Sequence, residues 1–220
     1  PYGRRPVLAM GYGMGWLTKA ALVLDEMDDA GPLLVNIAKY SYDKNMDYAD
    51  PARGIDWRKW LWLIPEGTNL LPDGRWYRIG DLTNGANQGP AMHAIAMCAG
   101  IDDTRPTELK VLPRVPDPRK GIDVRDFPAL VPDGNGLARA KVQYAYDRTS
   151  GAFRLQSDRP LPTLAVRLGP FDEAGVRARA QTLRCPAGAK TRVERSGRAA
   201  GQDAWWVWVE GMKDVTAVEF

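Results

Sequence analysis

The apolar residues of this 220-residue chain change their spacing partway along, and that change constrains the fold more than any other feature. Over residues 14–30, Met14, Leu17, Ala21, Leu24 and Met27 recur at three- and four-residue steps, one face of a helix. Gly31-Pro32 breaks the pattern, and Pro32 suits the first turn of a second helix. Leu33, Leu34, Ile37, Ala38 and Tyr40 to Tyr42 carry that helix to about Lys44. So short a break predicts an antiparallel helical hairpin. A third helix is expected over 89–100, with Pro90 in its first turn and Gly100 ending it.

Beyond it the grammar differs. Pro106, Pro113, Pro116 and Pro118 exclude a long helix between 104 and 120. Strand-like runs follow at 140–147, 152–156, 162–168, 176–184, 190–195, 204–210 and 214–220. Val142, Tyr144 and Tyr146 share one face by alternation, and 148–151 reads as a hairpin turn. Trp206, Trp208 and Glu210 alternate against Trp205, Val207 and Val209, which predicts a strand buried at least partly on both faces. The expected class is α+β: a helical region over 1–130, then an antiparallel β-sandwich over 131–220.

Composition narrows the function. A chain of this length buries roughly 70% of its unfolded surface without staples. No apolar run reaches the ~18 residues of a membrane helix. Two cysteines, Cys98 and Cys185, exclude a disulfide framework, and one histidine, His93, argues against a His/Cys zinc site. No metal or cofactor is expected. The net charge of +3 is too small and dispersed for nucleic acid. Arg148, Arg154, Arg167, Arg177 and Arg179 read as the wet face of a sheet, and Asp25, Glu26, Asp28 and Asp29 as a solvated helix face. Eight tryptophans favour flat, π-faced ligands such as sugars.

The segment from Ile64 to Asn84 carries the most chemistry. It sets two carboxylates, Glu66 and Asp81, in loops among aromatic and glycine residues. Glycosidic cleavage needs such a pair, one acid for the leaving oxygen and one base for water. Apolar neighbours raise a carboxyl pKa, as the acid role requires. The alternative is structural: Glu66 caps a turn and Asp81 is an N-cap. Trp76 and Tyr77 offer stacking faces, and Asn84, Asn87 and Gln88 offer amides for hydroxyls. Tyr12 and Trp16, around a glycine-rich helix lead, form a second candidate. No strand precedes those glycines, so a phosphate loop is not supported.

The order of these motifs is similar to a known family. A helix after Gly-Tyr-Gly is followed by Ile-Pro-Glu-Gly, then by Arg-Ile-Gly-Asp-Leu-Thr-Asn with Asn87-Gln88. Gly-Ile-Asp-Asp-Thr and Leu-Pro-Arg-Val-Pro come next. Together, over nearly the whole chain, they resemble the C-terminal part of six-hairpin (α/α)6-barrel glycoside hydrolases, where the last helical hairpins precede a β-sandwich. The resemblance implies that Glu66 and Asp81 face a cleft at the barrel mouth. A complete barrel needs twelve helices and this chain shows three or four, so a missing N-terminal segment or a partner chain would complete it.

These readings predict a carbohydrate-active hydrolase, or the C-terminal portion of one, acting on an oligo- or polysaccharide. The competing expectation is a carbohydrate-binding or assembly subunit without chemistry. A polysaccharide lyase, with Tyr12 or Tyr77 as base, is the third.

Overall fold

The computed structural model describes residues 8–42, 49–50, 55–56, 67–70, 76–79 and 85–220, with side chains over 13–37 and 88–220. The chain divides into two units. One comprises residues 1–23 and 29–95, the other residues 24–28 and 96–220.

The first unit carries β1 (Leu8–Met10), α1 (Gly11–Val23), most of α2 (Met27–Tyr42), β2 (Ala49–Asp50), β3 (Ile55–Asp56), β4 (Gly67–Leu70), β5 (Trp76–Ile79) and most of α3 (Gly85–Ala99). Strands β1, β4 and β5 form an antiparallel sheet, and β2 pairs with β3. Helices α1 and α3 meet at Gly15. A Cβ there would lie 2.6 Å from the Pro90 Cβ and 2.8 Å from the Ala91 amide nitrogen, so only glycine admits the approach. Ile37 and Ala91 are buried nearby with Met14 against them.

The second unit is built on strands. In chain order it holds β6 (Ile101–Arg105), β7 (Glu108–Val111), β8 (Gly121–Asp133), β9 (Gly136–Asp147), β10 (Phe153–Phe171), α4 (Glu173–Thr182), β11 (Lys190–Ala199) and β12 (Gln202–Glu219). All seven strands belong to one mixed sheet. Strand β10 is its spine. Antiparallel β12 runs along one edge, while the other edge takes antiparallel β9 over Phe153–Ser157 and parallel β7 over Leu164–Val166. The register breaks between Gln156 and Leu161, where Pro160 and Pro162 lack an N–H to donate. The bend there lets the sheet curl over its own core of Val111, Val131, Val142, Tyr144, Phe153, Leu164, Val207 and Met212.

Three expectations are corrected. The resemblance to an (α/α)6-barrel hydrolase fails, because the described residues hold four helices against twelve strands and form no ring of helical hairpins. The antiparallel sandwich of the α+β assignment is instead one curled, mixed sheet, since β7 runs parallel to β10. The helical boundaries also shift. Gly31-Pro32 lies inside α2, and the break falls at 24–26, where Asp25 takes a left-handed φ of 57°. The run 176–184 is not a strand: it is helical as far as Thr182, where α4 ends. Asp172 caps α4 by accepting a hydrogen bond from the Gly175 amide at 2.6 Å, and Val176 alone in the helix is buried.

The tyrosine face is confirmed: Val142, Tyr144 and Tyr146 are all at most 2% exposed. The Tyr146 hydroxyl donates to the Gly169 carbonyl at 3.2 Å and accepts from the Gly169 amide at 3.1 Å, and the Tyr144 hydroxyl donates to the Ala99 carbonyl. Burial pushes Tyr146 up to about 12, Tyr144 higher still, and Cys98 to about 11. A raised folded-state value favours the neutral form. The stability from these groups is therefore full below their ordinary values, ~8.5 for Cys and ~10 for Tyr, and fades as the pH climbs through the raised ones. The urea midpoint should accordingly hold steady to about pH 8.5 and fall steeply above pH 10. Tyr144 and Tyr146 should show no phenolate absorbance until the fold is lost; early, fully reversible ionisation of all eight tyrosines would contradict this.

Candidate functional site

Glu66, Asp81 and Asn84 lie outside the described residues. Trp76 and Tyr77 are in β5, Tyr12 in α1 and Asn87 in α3, with side chains outside the described set. Gln88 is half-buried in α3. Trp16 is 58% exposed, with the Lys19 ammonium 4.6 Å from its ring centroid. No side-chain convergence of these residues is therefore described.

The backbone does link the two carboxylate-bearing segments. In the β4–β5 ladder Leu70 pairs with Trp76 and Gly67 with Ile79. The Gly67–Ile79 rung is the one at the open end of the ladder, opposite the Leu70–Trp76 rung. Glu66 precedes Gly67 in the chain, and Asp81 is the second residue after Ile79.

A separate constellation was invisible in the sequence. Asp25, from the acidic run read as solvated, is only 3% exposed, and Arg167, assigned to a wet sheet face, only 4%. The Arg167 fork grips the Asp25 carboxylate through Nη1 to Oδ1 at 3.0 Å and Nη2 to Oδ2 at 2.5 Å. Ser196 Oγ donates to Oδ2 at 2.6 Å, and Arg114 Nε stands 3.5 Å from Oδ1. The Arg167 guanidinium lies 3.9 Å from the Trp206 ring centroid, and its Nε is 3.5 Å from Glu194 Oε2. Glu194 in turn accepts from Trp208 Nε1 at 2.5 Å. Burial lowers the Arg114 guanidinium from its ordinary value, and Asp25 opposes that shift.

This network anchors rather than catalyses. Asp25 has both oxygens taken by hydrogen bonds and faces the buried Arg167 and the half-buried Arg114, which leaves no open position for a substrate proton. Its backbone serves the same end: the Asp25 carbonyl accepts from the Arg198 amide at 3.2 Å, and Glu26 bridges Arg198 in parallel. Asp28 completes the seam by accepting from the Ala200 and Gly201 amides at 2.6 and 2.9 Å. Residues 24–28, the three-residue break after α1 plus the first two residues of α2, are thus stitched into the β-rich unit.

Gly197 makes the seam possible. Its φ is +70°, and a Cβ would lie 2.1 Å from the Asp25 carbonyl oxygen. Gly197→Ala should cost about 2 kcal/mol or more, from left-handed strain plus the clash. Urea unfolding followed by tryptophan fluorescence checks this, and a loss below 0.5 kcal/mol would mean the segment does not sit there.

No family model, curated protein or solved structure matches the chain.

Proposed function

We propose that the chain is a carbohydrate-active hydrolase that cleaves a glycosidic bond of an oligo- or polysaccharide, with Glu66 and Asp81 as the working carboxylate pair. The observation that carries this is the β4–β5 register. The chain enters the Gly67–Ile79 rung from Glu66 and leaves it toward Asp81, so Glu66 adjoins the rung in sequence and only Gly80 separates Asp81 from it. Paired Cα atoms in such a ladder stand ~4.5–5.5 Å apart and neighbours along the chain ~3.8 Å. Two short tethers to one rung favour a shared site. The chemistry then follows from the pair: one carboxyl protonates the leaving oxygen while the other activates water or attacks the sugar. A separation of roughly 5 Å gives retention, and roughly 6.5–9.5 Å gives inversion.

The experiment is reducing-end release from a panel of polysaccharides by the full chain, beside Glu66→Gln and Asp81→Asn. Turnover in the parent that collapses in both variants, at unchanged melting temperature, supports the pair. Binding without turnover favours the accessory subunit, and ultraviolet-absorbing unsaturated ends favour a lyase.

A further inference from the structure

The wet face of β8–β9–β10 carries a depression with the chemistry of a sugar-binding surface. Ala145 on β9 pairs with Asp123 on β8 and with Arg154 on β10, so a methyl group stands between a carboxylate and a long guanidinium side chain. The result is an open trough of about 390 Å³, at the small end of ligand sites (~300–1,000 Å³). Two register steps away, on the same face, Gln143 and Gln156 are paired across the strands by an amide hydrogen bond of 2.8 Å. One bond between two amides leaves an acceptor and N–H groups unused, whichever way each amide is turned.

The rim alternates donors and acceptors. The Asp123 carboxylate is held by Arg125 through Nη2 at 2.9 Å, and that hydrogen bond keeps its carboxyl below the usual range. Arg154 is exposed and has no ion pair or hydrogen bond from its guanidinium among the described residues. A second depression of about 320 Å³ adjoins the first and shares Gln143 and Gln156, with Lys141 and Asp158 beyond them. Asp158 there accepts from the Lys141 amide at 2.7 Å. Acidic and basic groups balance over the two troughs, and Glu219 faces Arg154 from β12.

The geometry points to a second, non-catalytic site on this face, which takes a neutral oligosaccharide across two adjoining subsites that share the Gln143–Gln156 pair. A small apolar floor receives the C–H face of a sugar ring, and the mixed rim both donates to and accepts from hydroxyls. Charge balance disfavours an acidic chain, and the shared amide pair favours an oligomer over a single sugar. The site needs neither Glu66 nor Asp81.

Affinity electrophoresis and calorimetry of the full chain carrying Asp81→Asn separate this inference from the hydrolase reading, because neither measurement needs turnover. The probes are a soluble neutral glucan, a neutral xylan, their short oligomers and polygalacturonate. The expected result is retention by a neutral polymer, with oligomers binding at least tenfold more tightly than the monosaccharide. Ala145→Ile, which fills the floor with a residue suited to a strand, should weaken binding at least tenfold without moving the thermal midpoint. Gln156→Ala should do the same. No retention, retention by polygalacturonate alone, or retention that survives both substitutions overturns the assignment.

Discussion

Asp25→Ala is expected to destabilise the β-rich unit by about 3–5 kcal/mol, a fall in melting temperature of roughly 10–20 °C. The carboxylate is the counter-charge for Arg167, which is 4% exposed, and sits 3.5 Å from the half-sequestered Arg114. Removing it leaves Arg167 in a site where water cannot replace the lost partner, and breaking a buried pair costs far more than the pair contributes net. The Ser196 hydroxyl loses its acceptor in the same step. Glu194 gives limited relief, since its nearest oxygen is 3.5 Å from Arg167 Nε and already accepts from Trp208. A control follows from the same asymmetry. Asp25→Leu combined with Arg167→Met removes both charges, and it should recover part of the loss, the remainder reflecting Arg114 and the Trp206 stack. Near-ultraviolet circular dichroism during urea unfolding reads the effect at Trp206 and Trp208. A loss under 1 kcal/mol in Asp25→Ala would show that the 24–28 segment docks without this pair.

What was legible in the sequence was whatever local pattern decides. Strand β9 declared itself because Val142, Tyr144 and Tyr146 alternate with Lys141, Gln143 and Ala145, and burial follows that period. The turn after Asp147 closes as expected, with the Gly151 amide on the Asp147 carbonyl at 2.8 Å. The Trp206 strand is buried on both faces for the same reason. Strand β8 escaped because Pro128 and Pro132 argue against a strand; it tolerates them as an edge paired with β9 alone. Helix α4 escaped because Val176, Ala178 and Ala180 alternate with Arg177 and Arg179. The overlooked signal was Asp172-Glu173, a cap followed by a first-turn acid. The parallel β7–β10 pairing is a tertiary choice with no local signature.

Asp25 is the instructive miss. Within its own segment it is one of four acids in five residues, and solvation is the cheapest fate for such a run. Burial becomes favourable only once Arg167, 142 positions away, arrives with a fork of donors already stacked on Trp206. No periodicity encodes that meeting. Glu66 and Asp81 stand out in the sequence for their aromatic and glycine neighbours; both lie outside the described residues, and the β4–β5 register relates only the strand residues next to them.

Asp81→Asn and Glu66→Gln should each lower turnover by about 10²–10⁴-fold, the range that a positioned acid or base contributes. Both replacements keep the side-chain shape and remove only the ability to gain or lose a proton. The two variants should nevertheless fail differently, and the difference assigns the roles. Losing the general acid hurts most where the leaving group needs protonation, as in a natural sugar linkage. An aryl glycoside with an acidic phenol leaves unaided, so that variant should retain much of its rate on such a substrate. Losing the base or nucleophile suppresses both substrates alike. The pH profile gives an independent check, because a bell-shaped dependence reports one group that must be protonated and one that must not. The variant lacking the acid should lose the alkaline limb, and the variant lacking the base the acidic limb. If either substitution leaves natural-substrate turnover and the bell intact, that residue has no part in the reaction, and the two chain segments meeting at the Gly67–Ile79 rung do so for structural reasons.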